Sequence, residues 1–263
     1  MKQRIVVCVL LLIIVAAVVV TVSVVLIKLG GDSTQEAPPD SSQPLFSEPA
    51  DPSSASSEPS KEFAAVSASS AVDLTYFDDA VFVGDSITVG LGNYKILPAE
   101  NVYADIGLNL DTIQTKQAVQ TSSGSVTVLD ALKLKKPSKV YIMLGSNGIA
   151  WIKPESLAKK YEAFLDQVIE ALPDATIYVE SILPVAASKE AADARYNNAS
   201  INEYNQLLFN LAKEKGVYYL DCHASFKGAD GALSTEYAEQ DGMHLKKTGY
   251  EALLEFFKTH TVK

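Results

Sequence analysis

Five short apolar runs alternate with segments of helical periodicity through most of the chain. The runs, rich in Val, Ile and Tyr as buried strands are, span residues 81–83, 102–105, 140–144, 177–181 and 217–220. Between them, apolar residues recur at helical spacing, as Leu157, Tyr161 and Phe164 do. This alternation predicts an α/β fold in which a mainly parallel, five-stranded sheet lies between helices.

The first run ends abruptly at Gly84-Asp85-Ser86. A serine that follows a buried strand and precedes a helix start lies at the carboxyl edge of the sheet, where open α/β folds bind ligands. Ser86 is therefore a candidate nucleophile. The same triplet is also typical of an ordinary turn with a helix cap, because Asp and Ser side chains accept hydrogen bonds from free N–H groups.

Three further loops carry polar residues that would converge with Ser86. Gly107 and Asn147 follow the second and third runs, and Asp241 and His244 precede the last predicted helix. Acyl transfer from an ester needs a nucleophile, a base, a group that orients the base and donors for the oxyanion. Ser86, His244 and Asp241 are the candidate catalytic residues. The amides of Ser86 and Gly107 and the side-chain amide of Asn147 are the candidate oxyanion donors.

Other residues compete for these roles. His223, which follows Asp221, is an alternative base, and His260 lies near the chain end, where fraying is common. Cys222 is an alternative nucleophile without an evident activating group. His244 could also be an ordinary capping histidine, and Asp241 could belong to a simple turn. Because the only other cysteine is Cys8, the sequence predicts no disulfide framework, no metal site and no cofactor.

Taken together, these loops resemble the four sequence blocks of the SGNH hydrolases, also called GDSL-type esterases and lipases. The matching residues are Gly84-Asp85-Ser86-Ile87-Thr88, then Gly107, then Gly145-Ser146-Asn147, and finally Asp241-Gly242-Met243-His244-Leu245. The resemblance covers residues 77–260 and implies a flavodoxin-like three-layer α/β/α sandwich, an acyl ester substrate and no required metal. One departure is Gly148, because the third block of the family often has an Asp at that position.

The N-terminal region predicts a membrane anchor. Residues 5–27 are apolar and uncharged, with Lys2 and Arg4 before them and Lys28 after them, and about 23 such residues can cross a bilayer as a helix. The alternative is a buried core helix. The basic flank predicts that residues 1–4 stay in the cytoplasm and that the rest of the chain is extracellular. We therefore expect a single-pass protein of the bacterial cell membrane.

A polar segment follows the predicted anchor. Residues 28–72 are dominated by Ser, Pro, Ala and acidic residues, which cannot bury enough apolar area to offset the entropy of ordering. The sequence therefore predicts a disordered linker over 28–72 and an esterase domain over 73–263.

The overall charge narrows the range of partners. The chain has a formal net charge of −10 and no run of basic residues, which excludes a nucleic-acid binder. The sequence predicts a membrane-tethered serine esterase that removes small acyl groups, expected to be acetyl, from cell-wall or surface glycans through an acyl-enzyme. Three alternatives stay open: a lysophospholipase or short-chain lipase, a glycan O-acyltransferase, and a non-catalytic glycan-binding module. The oligomeric state is not predicted.

Overall fold

The computed structural model describes residues 63–262. The predictions for residues 1–4, 5–27 and 28–62 lie outside these residues. Within residues 63–262, no helix combines the length and the apolar character that crossing a membrane requires.

A five-stranded parallel sheet forms the centre of the domain. Its strands are β1 (Ala80–Gly84), β2 (Val102–Ala104), β5 (Lys139–Met143), β6 (Thr176–Glu180) and β7 (Tyr218–Leu220). They lie in the order β2-β1-β5-β6-β7, and every neighbouring pair is parallel. This is the strand order of flavodoxin-like folds. The predicted fold class is confirmed, and each predicted run overlaps one strand of the sheet.

A short antiparallel pair, β3 (Val119–Thr121) and β4 (Gly124–Val126), stands apart from the sheet and was not predicted from the sequence. The α-helices of the described residues are α1 (Ser86–Asn93), α2 (Val128–Lys135), α3 (Pro154–Ala171), α4 (Ala187–Ala192), α5 (Asn198–Lys215), α6 (Cys222–Phe226) and α7 (Lys247–Thr259), and two short 3-10 helices span Leu74–Phe77 and Ala99–Asn101. Helix α3 begins at a proline and α5 ends at Gly216, as local sequence preferences favour.

One face of the sheet carries a row of stacked aromatic rings. Phe82, Tyr141 and Tyr178 are in register on neighbouring strands, and successive ring centroids are 4.4 Å apart. Phe257 of α7 covers this row, with its ring 5.2 Å from that of Phe82. Such aromatic pairs contribute about 0.5–1.5 kcal/mol each beyond the area they bury. The row therefore fixes α7, and with it the loop that precedes α7, against the sheet.

The opposite face is covered by α3 and α5. The hydroxyl of Tyr161 in α3 donates to the carbonyl of Ile142 at 3.0 Å, and that of Tyr204 in α5 donates to the carbonyl of Leu144 at 3.0 Å. All four residues are fully buried. Helices thus pack on both faces, which makes the domain a three-layer α/β/α sandwich.

Residues 63–72, at the end of the predicted linker, lie against the domain. Val66, Ser69 and Val72 donate backbone hydrogen bonds of 2.7–2.9 Å to carbonyls in β7 and α7. The ring of Phe63 meets that of Phe209 in α5 edge-on, at a centroid distance of 5.1 Å. The composition of this segment predicts disorder, but its few apolar side chains and its backbone N–H groups find partners on the folded domain.

Candidate active site

The loops that carry the predicted site residues meet at one edge of the sheet. The five strands are parallel, so their carboxyl ends share this edge. Ser86 follows β1, Gly107 follows β2 and Asn147 follows β5. The loop that ends in His244 reaches the same edge, because α7 is packed against the sheet.

Ser86, His244 and Asp241 form a continuous chain of hydrogen bonds. The Ser86 Oγ lies 2.9 Å from the His244 Nε2, and the His244 Nδ1 lies 2.5 Å from the Asp241 Oδ2. An ionised carboxylate can only accept, so the proton between these two side chains sits on Nδ1. In the neutral imidazole, Nε2 is then free to accept the proton of the Ser86 hydroxyl.

Asp241 is held by its own loop. Its Oδ1 accepts hydrogen bonds from the backbone amides of Met243 at 2.9 Å and His244 at 3.0 Å. Partial burial would raise the pKa of Asp241, but the hydrogen bonds from the His244 ring and from the two amides hold the pKa below its usual value. The carboxylate therefore stays ionised at neutral pH and fixes the orientation of the imidazole.

Ser86 is the first residue of α1, and this position frees its backbone amide. The Asp85 side chain caps the helix by accepting a hydrogen bond from the amide of Ile87 at 3.0 Å. The amides of the first helical turn have no carbonyl partner within the helix. The N–H of Ser86 is therefore available beside its own hydroxyl.

Asp85, which the sequence predicts only as a helix cap, is also a titratable group of the site. Its side chain is 1% exposed, and its Oδ2 has no hydrogen-bond partner among residues 63–262. Burial raises the pKa of Asp85 to about 6, against the lowering effects of the Ile87 amide, the nearby His244 and the Ser146 hydroxyl. The site thus contains a second carboxyl group close enough to His244 for their charges to interact.

Asn147 and Gly107 are linked through Leu108. The Asn147 Nδ2 donates to the Leu108 carbonyl at 3.1 Å, which fixes the amide and leaves its second N–H unused. Gly107 has a φ of +74° in a turn closed by a 3.1 Å hydrogen bond from the Leu108 amide to the Asp105 carbonyl. Glycine tolerates this φ without strain. In the described part of the chain, the Gly107 N–H has no acceptor.

Gly148, the departure from the family pattern, has a packing explanation. A Cβ at this position would lie 2.6 Å from the Cδ1 of Leu157 in α3. Leu157 is 1% exposed and belongs to the core. In this chain, an apolar side chain fills the space behind the Asn147 loop that an Asp at position 148 would need.

A small apolar cavity opens beside Ser86, Asn147 and His244. Its volume is about 40 Å³, which is room for about three water molecules. One wall is formed by Ile182, Leu183, Pro184 and Val185, in the loop after β6. The predicted site does not include this loop. The signal was present, because an apolar run that continues through a proline beyond a strand cannot all be strand.

The competing residues lie elsewhere. The His223 amide donates to the Ser181 Oγ at 2.8 Å, and burial lowers the pKa of the His223 ring to about 4. Burial raises the pKa of the Cys222 thiol, which makes it a poor nucleophile. His260 stacks on Phe256 at the end of α7, with ring centroids 3.9 Å apart. Among residues 63–262, no group of His, Cys, Asp and Glu could hold a metal ion.

The comparison with known proteins agrees with this geometry. The sequence profile of the GDSL-like Lipase/Acylhydrolase family matches residues 82–252, well over half of the chain. No curated protein matches the chain.

Solved structures of low sequence identity share the fold. A protein from Streptococcus pneumonia described as platelet activating factor has a TM-score of 0.55 and 24% identity, over 68% of this chain and 82% of its own. A GDSL-like lipase from Bacteroides thetaiotaomicron has a TM-score of 0.52 and 18% identity, over 68% of this chain and 85% of its own. An acylhydrolase-type protein from Bacteroides fragilis has a TM-score of 0.52 and 19% identity, over 68% of this chain and 83% of its own.

The fold, the site and the family match together define a carboxylic ester hydrolase. The chain belongs to the GDSL-like Lipase/Acylhydrolase family.

Proposed function

We propose that Ser86 is the nucleophile, His244 the general base and Asp241 the residue that orients it. The observation that carries this proposal is the pair of contacts at 2.9 Å and 2.5 Å that joins the three side chains. Ser86 Oγ attacks the acyl carbon while His244 Nε2 takes the hydroxyl proton. His244 then gives this proton to the departing alcohol, and an acyl-enzyme on Ser86 remains. In the second half of the reaction His244 takes a proton from water, the water oxygen attacks the acyl carbon, and the proton returns to the Ser86 Oγ.

The oxyanion of each tetrahedral intermediate accepts hydrogen bonds from the amides of Ser86 and Gly107 and from the Asn147 Nδ2. Within residues 63–262 the amides of Ser86 and Gly107 have no hydrogen-bond acceptor, and Asn147 Nδ2 has one N–H left over, which supports this role. Donors of this kind are fixed before the reaction, and loss of one typically costs a factor of 10²–10³ in turnover. Asn147 is the donor whose contribution can be removed by a side-chain substitution.

The acyl group is small, and acetyl is the proposed one. A cavity of about 40 Å³ with apolar walls suits a group of two or three carbon atoms. A long acyl chain, as in the lysophospholipase alternative, would need a longer apolar groove beside Ser86.

Hydrolysis is favoured over transfer to a second alcohol. The side chains of His244 and Asp241 are 42% and 50% exposed, so water reaches the base directly. An acyltransferase needs to keep water away from its acyl-enzyme. The complete set of catalytic side chains also argues against a module that only binds glycans.

The location of the enzyme and the glycan substrate are proposed from the sequence. The apolar residues 5–27 and the polar residues that follow them support an esterase held outside the cell membrane on a tether. There, O-acetylated sugars of the cell wall or surface are esters within reach. The acidic chain suits neutral glycans better than anionic lipid surfaces.

Hydrolysis of p-nitrophenyl esters of increasing chain length tests the proposed reaction. We expect a measurable kcat/KM on the acetate and a kcat/KM that declines from the butanoate to the octanoate. In Ser86→Ala, kcat/KM on the acetate should fall by a factor of about 10³ or more. Ser122→Ala, at an exposed serine in the β3–β4 turn, is the matched control and keeps full activity. An undiminished Ser86→Ala variant would refute the assignment of the nucleophile, and rising activity with chain length would refute the short-acyl substrate.

A further inference from the structure

Trp151, the single tryptophan of the chain, stands exposed on the loop that carries Asn147. Its side chain is 68% exposed. The loop is a pair of tight turns, in which the Trp151 amide donates to the Gly148 carbonyl at 2.9 Å. Ile149 of the same turns lines the cavity beside Ser86. The turn therefore fixes the backbone of Trp151 relative to the acyl cavity.

Arg195 covers one side of the indole. Its Cζ lies 4.0 Å from the centroid of the Trp151 ring. Asp193 holds the guanidinium by two hydrogen bonds, from Nε at 2.8 Å and from Nη2 at 2.6 Å. The guanidinium therefore stacks on the indole and hydrogen-bonds to Asp193 at the same time, and both contacts restrict its rotation. The remaining surface of the indole is open to solvent.

A second aromatic ring with a cation against it extends this surface toward the loop that carries Asp241 and His244. Tyr196 lines the cavity, and the Nζ of Lys189 lies 4.3 Å from its ring centroid. Lys189 belongs to α4, which is joined to the catalytic loop by a 2.8 Å hydrogen bond from the Ala186 amide to the Gly242 carbonyl. Trp151, Arg195, Tyr196 and Lys189 together form an aromatic rim on one side of the cavity mouth.

We propose that the aromatic rim is a subsite for the sugar ring that bears the ester, or for the sugar next to it. This inference rests on the proposed hydrolysis of glycan esters. A pyranose has C–H faces that pack against an indole and equatorial hydroxyls that hydrogen-bond at its edge. The rim offers both an open aromatic surface and fixed polar groups, namely the guanidinium of Arg195 and the carboxylate of Asp193.

The polarity of the aromatic rim favours a sugar over a lipid acyl chain as its ligand. Both aromatic rings are covered on one side by a cation, and Asp193 adds a carboxylate beside Trp151. An acyl chain would desolvate these charged groups and offer them no hydrogen bonds in exchange for water, at a cost in free energy. A hydrated, neutral oligosaccharide can instead form hydrogen bonds with them.

Because the chain has one tryptophan, its fluorescence reports on the rim directly. The full-length Ser86→Ala protein in detergent micelles is titrated with tetra-N-acetylchitotetraose and with xylotetraose. We expect a saturable change in emission with at least one of them, and an increase of Kd of about tenfold in the Ser86→Ala/Trp151→Ala double variant, measured by calorimetry. This binding experiment does not depend on turnover, so it separates the subsite from the proposed reaction.

Kinetics give a second readout. In Trp151→Ala, the ratio of kcat/KM for an O-acetylated oligosaccharide to kcat/KM for p-nitrophenyl acetate should fall about tenfold, mainly through KM. Leu134→Ala, at a residue of similar exposure (69%) in α2, is the matched control and leaves the ratio unchanged.

Two outcomes would overturn the subsite. One is an emission spectrum that neither oligosaccharide alters, together with an unchanged kinetic ratio. The other is an emission change with phosphatidylcholine vesicles and none with oligosaccharides, which would make the rim a membrane contact. In both cases, activity that is lost in Ser86→Ala would leave the proposed reaction intact.

Discussion

At the scale of single residues, Asn147 divides its amide between structure and chemistry. One N–H binds the Leu108 carbonyl at 3.1 Å, and the other is proposed to bind the oxyanion. For Asn147→Ala we expect kcat on p-nitrophenyl acetate to fall by about 10²–10³, with a much smaller change in KM, because the lost interaction forms only in the transition state. Steady-state kinetics measure both constants.

The control for this prediction is Asn210→Ala, at an exposed position in α5, which should match the wild-type kinetics. A loss of less than threefold in kcat for Asn147→Ala would show that the two backbone amides suffice for the oxyanion.

Gly148 and Leu157 make a prediction about packing at the same scale. A Cβ at position 148 would be 2.6 Å from Leu157 Cδ1, so Gly148→Ala should lower the free energy of unfolding by about 1–3 kcal/mol. In the Leu157→Ala background the same substitution should cost much less, because the clashing methyl group is gone. Urea denaturation of the four proteins gives the coupling energy. Additive effects would mean that position 148 is not limited by Leu157.

At the scale of secondary-structure elements, residues 63–72 extend the folded domain beyond the predicted boundary at 73. Three of their amides donate to β7 and α7, and Phe63 packs on Phe209. A protein that starts at residue 63 should therefore have a higher midpoint of thermal unfolding than one that starts at residue 73, by several degrees. Each lost hydrogen bond and the half-buried Phe63 ring contribute on the order of 1 kcal/mol.

Circular dichroism melts of the two truncated proteins measure this difference. Phe63→Ala in the longer protein should give a midpoint between those of the two truncated proteins, because it removes the ring and keeps the backbone hydrogen bonds. Equal midpoints for all three would place the boundary at 73, as the sequence alone predicts.

The elements also show what local sequence can predict. The five sheet strands were predictable because each is a short run concentrated in β-branched and aromatic residues, and most of them alternate with helices along the chain. The hairpin β3–β4 was missed because its strands are three residues each and contain Gln120, Gly124 and Ser125. Only the cross-strand pair Val119 and Val126 faces the core, which is too few apolar residues to give a period-two pattern, and the tight turn between the strands sets their pairing.

The site was predictable in its reactive groups and not in its walls. Ser86, Asn147 and His244, predicted from residue type and chain order, line one cavity in the structure. Ile182 to Val185 line the cavity only because β6 neighbours β5 in the sheet, and Trp151 meets Arg195 only because two loops from different strands converge. Such neighbours are set by tertiary packing, which no local pattern encodes.

At the scale of the whole molecule, buried ionisable groups set the response of stability to pH. Glu180 is 3% exposed at the end of β6, and burial raises its pKa to about 8, partly offset by the Cys222 thiol at 3.8 Å. Burial likewise raises the pKa of Asp85 to about 6 and lowers that of His223 to about 4. The folded domain therefore contains a protonated glutamic acid and a neutral histidine at pH 7.

The signs of these effects differ. A carboxyl group with a raised pKa binds its proton more tightly in the folded state, so stability falls as pH rises through the window from its unfolded to its folded pKa. For Glu180 that window runs from 4.5 to about 8. For His223 the unfolded chain binds the proton more tightly, so stability rises with pH between about 4 and 6.5. Above pH 7, Glu180 carries most of the remaining pH dependence of these three groups, because the unfolded His223 and the folded Asp85 are then mostly deprotonated.

The free energy of unfolding should therefore decrease between pH 7 and pH 8, with a slope of about 1 kcal/mol per pH unit near pH 7. Glu180→Gln removes the titrating proton and should make stability nearly independent of pH over this interval, whatever its effect on stability at pH 7. Glu203→Gln, at an exposed glutamate of α5, should retain the wild-type slope. Urea denaturation at three pH values measures all three slopes. A decrease that persists in Glu180→Gln would mean that another group carries the dependence, and a flat wild-type curve would mean that Glu180 is ionised inside the fold, stabilised by a partner.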